Sequence, residues 1–149
     1  MSRRENPVYN MLNLALANSL NHIQFYMDAA NVVETPKIKA LLLVLAEAEE
    51  ELAEKIEDMM LTGIVDEVVE AADMDLQDPD ETPFDLTRED SDPRIFICNK
   101  ALRQEVNGFS FYRSIAFRAK SPVVKRLFTF FANFKMEQIK KIRKICKTF

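Results

Sequence analysis

The chain repeats itself, without a gap, at an offset of 86 residues. Phe25-Tyr26, in Asn21-His22-Ile23-Gln24-Phe25-Tyr26, returns as Phe111-Tyr112 in Asn107-Gly108-Phe109-Ser110-Phe111-Tyr112. Pro7 maps to Pro93, Asn13 to Asn99, Ala15 to Ala101, Leu16 to Leu102 and Ala30 to Ala116. Further on, Pro36 maps to Pro122, Lys39 to Lys125, Leu41 to Leu127, Ala46 to Ala132 and Ile56 to Ile142. The positions before the prolines agree in kind, Asn6 with Asp92 and Thr35 with Ser121. The chain is therefore one helical hairpin written twice, and a repeat is read before anything else because it dictates the architecture.

A small polar residue followed by proline is a helix start, because proline at the first helical position gives up an amide that has no partner anyway. Helix 1 is predicted from Asn6-Pro7, with apolar positions at Leu12, Leu16, Ile23 and Met27 in a helical period. Thr35-Pro36 opens helix 2, whose apolar set includes Ile38, Leu41, Leu42, Leu45, Leu52 and Ile56, and Gly63 supplies its stop. Helix 3 is expected from Pro93 to about Ala119, and helix 4 from Pro122 to about Cys146. The core stripe of helix 4 includes Val124, Leu127, Phe128, Phe131, Ile139 and Ile142. Connections this short make each pair antiparallel neighbours. Gly108 falls in mid-helix, where glycine costs ~1 kcal/mol against alanine, so a packing reason is expected there.

Residues 64–92 break the pattern. Asp66 to Asp73 reads as a short acidic helix, and the breaker-rich Asp78-Pro79-Asp80-Glu81-Thr82-Pro83 and Ser91-Asp92-Pro93 follow. Phe84 and Leu86 are expected to pin this crossover to the bundle. The predicted fold is all-α. It is an antiparallel four-helix bundle of two repeated hairpins, 7–63 and 93–149, joined by one long crossover, 64–92, in a single domain over 1–149. Two glycines and no tryptophan in 149 residues fit a chain that is helix almost throughout.

Charge is distributed in blocks. Residues 1–64 carry five basic and ten acidic side chains (net −5), residues 65–93 one and twelve (−11), and residues 94–149 fourteen and two (+12). Blocks of this size need partners of opposite sign. The basic cluster Lys140-Lys141-Arg143-Lys144-Lys147, with Arg113 and Arg118, could bind nucleic acid or another polyanion. It belongs to no recognised module, and the acidic crossover, within the chain or across a dimer, is the favoured partner. The N-terminus shows no signal-like apolar stretch, and the longest apolar run, Ala40 to Ala46, is far short of the roughly 20 residues a membrane span needs. A soluble cytoplasmic protein is expected, with Cys98 and Cys146 as two reduced, partly buried thiols.

The duplicated hairpin, with Phe-Tyr in the odd helices and an acidic, alanine-containing turn in the even ones, resembles the ferritin-like superfamily and within it the rubrerythrin-type proteins. The resemblance covers both hairpins and leaves out the crossover. It implies a glutamate seven residues before each tyrosine, and Glu-x-x-His three residues after each alanine, together holding two irons. Carried over by position, the helix 1 slot is Ser19 and the helix 3 slot Glu105. The helix 2 pair is Glu49 and Leu52, and the helix 4 pair is Lys135 and Gln138. Two of six ligands remain, and with one histidine in the chain, His22, two Glu-x-x-His motifs are impossible.

The chemistry points the same way. A di-iron centre needs several anionic oxygens and imidazoles. Leu52 offers no lone pair, Ser19 is a weak neutral ligand, and Lys135 is itself a cation. Lys135 is expected to stand where the metal would be, neutralising Glu49 and Glu105 in an otherwise costly apolar setting. One lysine against two carboxylates leaves a charge uncovered, for which a proton, a water or His22 is available. His22, one turn from Ser19, admits two readings, a core-edge histidine with one hydrogen bond or the third ligand of a mononuclear site with Glu49 and Glu105.

Tyr26 and Tyr112 are expected as core aromatics whose hydroxyls find partners, rather than redox groups. Phe130 and Phe134 are expected as an exposed patch that supports a homodimer. In Glu47-Ala48-Glu49-Glu50-Glu51, one position only can point straight inward. The resulting expectation is a ferritin-like bundle without di-iron chemistry, with no catalytic residues and no cofactor, acting as a binding or scaffold protein with a possible unidentified protein partner. The alternatives are a rubrerythrin-like oxidoreductase using iron at His22, Glu49 and Glu105, and a polyanion-binding bundle. No Cys-x-x-Cys pair suggests a rubredoxin-like electron-transfer unit.

Overall fold

The computed structural model describes residues 7–63 and 76–149. The expected cap Asn6 and the expected acidic helix at Asp66 to Asp73 lie outside the described residues. Among the described residues four long helices follow one another: α1 (Pro7–Val32), α2 (Pro36–Thr62), α3 (Pro93–Arg118) and α4 (Pro122–Cys146). A single 3-10 turn, Leu86–Arg88, precedes α3, and there is no strand among the described residues. α1 packs along α2 and α3 along α4, and the two hairpins meet chiefly through α2 and α4. The all-α bundle of two hairpins joined by a long connection is thus the observed architecture.

The helix boundaries follow the local signals. Gly63 closes α2 in the left-handed region (φ 74°), its N–H donating to Met59 O, a conformation that glycine adopts without penalty. Asp92 caps α3 by accepting from the Arg94 N–H at 3.0 Å, and Ser121 caps α4 by accepting from Val124 at 3.4 Å. The Asp92 carboxyl is held below the usual carboxylate range, first by its hydrogen bond with Arg94 and also by that with Arg88. Thr35 is the exception. Its backbone is extended as a cap should be, yet its hydroxyl makes no capping bond, and Pro36 marks the start alone.

The predicted apolar sets of α2 and α4 are buried throughout. In α1, Leu12 is buried and Leu16 packs against the core, but Met27 is exposed and is not a core residue. Phe84 packs on the bundle, and Asn99 holds its backbone with a pair of hydrogen bonds, accepting from its N–H at 2.7 Å and donating to its carbonyl at 2.9 Å. Leu86, expected to share this work, is 59 % exposed, because the 3-10 turn rotates it outward; Leu76 packs against the core instead. Phe130 and Phe134 are likewise not the exposed patch expected. Both are half-buried against the core, Phe130 with its ring against Phe131, and the bare aromatics are Phe96, Phe111 and Phe117 on α3.

The cysteines also depart from expectation. Cys98 near the start of α3 and Cys146 at the end of α4 form a buried disulfide, their Cα atoms 6.1 Å apart. An antiparallel pair joined by a turn at Ala119 to Ser121 brings these two positions to the same height, and the side chains face each other across the hairpin.

Candidate functional site

The centre of the bundle is charged. Ser19, Glu49, Glu105, Lys135 and Gln138 are completely buried, Leu52 nearly so, and His22 is 9 % exposed. Glu49 is the inward member of its acidic run, whereas Glu47, Glu50 and Glu51 face solvent. Each helix contributes to the cluster: His22 and Tyr26 from α1, Glu49 from α2, Glu105 from α3 and Lys135 from α4.

Lys135 occupies the middle of the cluster. Its Nζ lies 2.9 Å from Glu49 Oε1, 3.5 Å from Glu105 Oε2 and 3.0 Å from His22 Nδ1. His22 Nδ1 is in turn 2.8 Å from Glu105 Oε1, which also accepts from the Tyr26 hydroxyl at 2.6 Å. One imidazole nitrogen cannot accept from the ammonium and donate to the carboxylate at once. Charge balance decides between them. With both carboxylates ionised, a protonated His22 beside Lys135 brings the cluster to zero, so Nδ1–H donates to Glu105 and the Lys135 contact is a close approach of like charges.

The directions in which His22 and Glu105 are shifted agree. Burial alone would lower the His22 pKa, but the hydrogen bond to Glu105 and the Glu49 carboxylate 3.7 Å away outweigh burial and the Lys135 charge, and the net shift is upward. Burial alone would raise Glu105, but the Lys135 charge and the bonds from His22 and Tyr26 bring it below the ordinary glutamate value. Tyr26 is pushed well above its ordinary value by burial and by the adjacent Glu105 charge. Tyr112 is raised too, by burial first and then by the two carboxylates.

The repeat explains the asymmetry of this cluster. At the offset of 86, Glu49 corresponds to Lys135, Ser19 to Glu105, His22 to Gly108 and Tyr26 to Tyr112. Tyr26 donates to Glu105, whose counterpart at the offset of 86 is Ser19, so the second hairpin's tyrosine has no carboxylate at the equivalent position. Tyr112 packs on Phe128 and Phe131, so only one of the two tyrosines has the hydroxyl partner expected among the described residues. Gly108 is explained as well. A Cβ there would lie 3.1 Å from Lys135 Cε and 3.3 Å from its Cδ. Where the first hairpin has His22 beside Glu49, the second has an absent side chain beside a longer one. Sequence reading identified Gly108 as a position needing a packing reason, but its pairing with His22 across the repeat is what shows the lysine stem filling that space.

Three oxygens of this region are buried without a hydrogen-bond partner: Ser19 Oγ, Glu49 Oε2 and Glu105 Oε2. His22, Glu49 and Glu105 each offer one ligand atom within 4.8 Å of the others, a buried His/Glu/Glu cluster consistent with a degenerate metal site. The donor set does not fit a di-iron centre. Lys135 Nζ already occupies the space between the three groups, and a cation there excludes a second one by charge and by volume. Gln138, another of the positions carried over by the resemblance, donates to the Leu45 carbonyl at 3.0 Å.

The acidic crossover neutralises part of the basic hairpin within the chain. Asp78 pairs with Arg113, Asp80 with Arg143 at 3.2 Å and Glu89 with Arg103 at 3.2 Å. Among the described residues no helix is long and apolar enough to cross a membrane. The class that fold and site define is a four-helix bundle of two repeated hairpins with a charged His/Glu/Glu/Lys centre. No protein-family model, curated protein or solved structure matches the chain.

Proposed function

We propose that this chain is a ferritin-like bundle of the rubrerythrin type in which a lysine has taken the metal's place, and that it acts by binding or scaffolding rather than by redox catalysis. Ser19, Glu49, Leu52, Glu105, Lys135 and Gln138 are on this reading the six positions of a former di-iron site. The observation that carries it is Lys135 Nζ, fully buried and within 3.5 Å of both surviving carboxylates. An ammonium supplies a fixed positive charge with no redox chemistry and no open coordination position, so the centre becomes structural. Homodimerisation belongs to the same proposal, and the exposed Phe111 and Phe117 are its available aromatic contacts.

A second reading has one specific observation in its favour. Glu49 Oε2 and Glu105 Oε2 accept no hydrogen bond from the described residues, and a mononuclear metal beside His22 could use them if Lys135 moved aside. Metal analysis of protein purified without chelator separates the two. The structural reading expects less than about a tenth of an equivalent of iron, zinc or manganese per chain, and no shift in thermal stability on adding them. Stoichiometric metal lost in a His22→Ala variant would establish the alternative.

A further inference from the structure

The repeat gives every surface of one hairpin a counterpart on the other, and one such pair differs sharply. The strap formed by residues 76–84 lies lengthwise over the outer groove between α3 and α4. Asp78 is held by Arg113, and Arg143 donates to the carbonyls of Asp80 and Thr82 at 3.1 and 2.8 Å. At the far end Asn99 clamps the Phe84 backbone from both sides. Among the described residues nothing lies over the matching groove between α1 and α2. Asn13, the counterpart of Asn99, is exposed where Asn99 is buried, and Leu20 is 50 % exposed where its counterpart Val106 is 8 %.

The charge is inverted along this path. Lys140 and Arg143 correspond to Glu54 and Glu57, which are exposed, and Glu47 and Glu50 continue the same stripe of α2. The α1/α2 groove therefore keeps the strapped groove's amide clamp at the same end, shows apolar side chains along α1, and carries the opposite sign along α2.

We propose that the α1/α2 groove binds an extended basic segment of a partner protein, seating an apolar anchor over Leu20 and setting lysine or arginine side chains on Glu50, Glu54 and Glu57. Charge complementarity selects the sign, and the occupied twin groove supplies the binding mode. An extended backbone is required because Asn13 can clamp only a residue whose own N–H and C=O are unpaired, which a helix does not offer. That disfavours α4 of a second copy, whose basic side chains stand on a helix. The inference gives the binding role a partner class and rests on that reading, while using none of the buried centre.

A synthetic peptide covering residues 76–84 with Asp78→Lys, Asp80→Lys and Glu81→Lys tests it, titrated calorimetrically at low salt into the full chain, with the unaltered peptide as control. The reversed peptide is expected to bind, to weaken with added salt, and to lose about tenfold in affinity against Glu54→Lys/Glu57→Lys protein; the unaltered peptide is expected not to bind. Both positions are exposed, and circular dichroism confirms that the variant stays folded. The proposal is overturned by no binding at low salt, by equal affinity of the two peptides or the two proteins, or by a native dimer that this variant splits into monomers. Iron uptake would defeat the structural reading of the centre while leaving this titration readable, so the two failures are distinguishable.

Discussion

Replacing Lys135 with methionine keeps an unbranched side chain of similar length and removes only the charge. Glu49 and Glu105 are then left fully buried, with His22 as the one nearby cation among the described residues. Breaking a buried ion pair in this way costs ~3–5 kcal/mol. A second estimate bounds the first. The variant can escape the charge imbalance by binding one proton between the two carboxylates, and protonating an ordinary glutamate of pKa about 4.3 at pH 7 costs about 3.7 kcal/mol. The destabilisation at pH 7 is therefore about 3–4 kcal/mol, or a melting temperature lower by about 10 °C for a chain of this size. Because the escape takes up a proton in the folded state, the deficit against wild type shrinks by about 1.4 kcal/mol per pH unit as the pH falls, and is about 1 kcal/mol at pH 5. Urea denaturation followed by circular dichroism, at several pH values between 5 and 8, measures both quantities. A deficit below about 1 kcal/mol at pH 7, or one independent of pH, would refute the claim that Lys135 neutralises this centre.

Four further outcomes are expected. Gly108→Ala gains up to ~1 kcal/mol of helix propensity but forces a methyl onto a lysine stem that Glu49 holds in place. It should destabilise wild type by ~1 kcal/mol, yet stabilise a Lys135→Ala background, as denaturation midpoints of the four proteins would show. Lys135→Glu adds a carboxylate and gathers three around His22, so the variant should be unstable alone and be rescued by a divalent cation, visible as a metal-dependent melting temperature. The raised pKa of His22 gives stability that is fully present below its unfolded value near 6.5 and is lost as pH rises through the higher folded value. His22→Gln should flatten that dependence in denaturation series from pH 5.5 to 9. Reducing the Cys98–Cys146 bridge, which spans 48 residues, should remove about 4 kcal/mol by chain entropy, measured against a Cys98→Ser/Cys146→Ser variant that is insensitive to reductant.

The amino-acid sequence alone carried the fold and the membership of the centre. Cap-and-proline pairs at 35–36, 92–93 and 121–122, with Gly63, placed the helix ends, because those signals act within one turn of the chain. The resemblance, carried over position by position, singled out Ser19, Glu49, Leu52, Glu105, Lys135 and Gln138, and all six are buried. Periodicity does not set the height of one helix against another, which packing decides. So it took the tertiary structure to show that His22 reaches Glu105 across the bundle and that Gly108 makes room for the Lys135 stem. The same relation of heights joins Cys98 to Cys146, where composition argued for free thiols, and a turn's rotation exposes Leu86, where hydrophobicity argued for burial. Tyr26 and Tyr112 share the same Phe-Tyr pair, and only their tertiary neighbours differ: Tyr26 donates to Glu105, whereas Tyr112 packs on Phe128 and Phe131. Local chemistry wrote the elements, and long-range packing decided which charges meet.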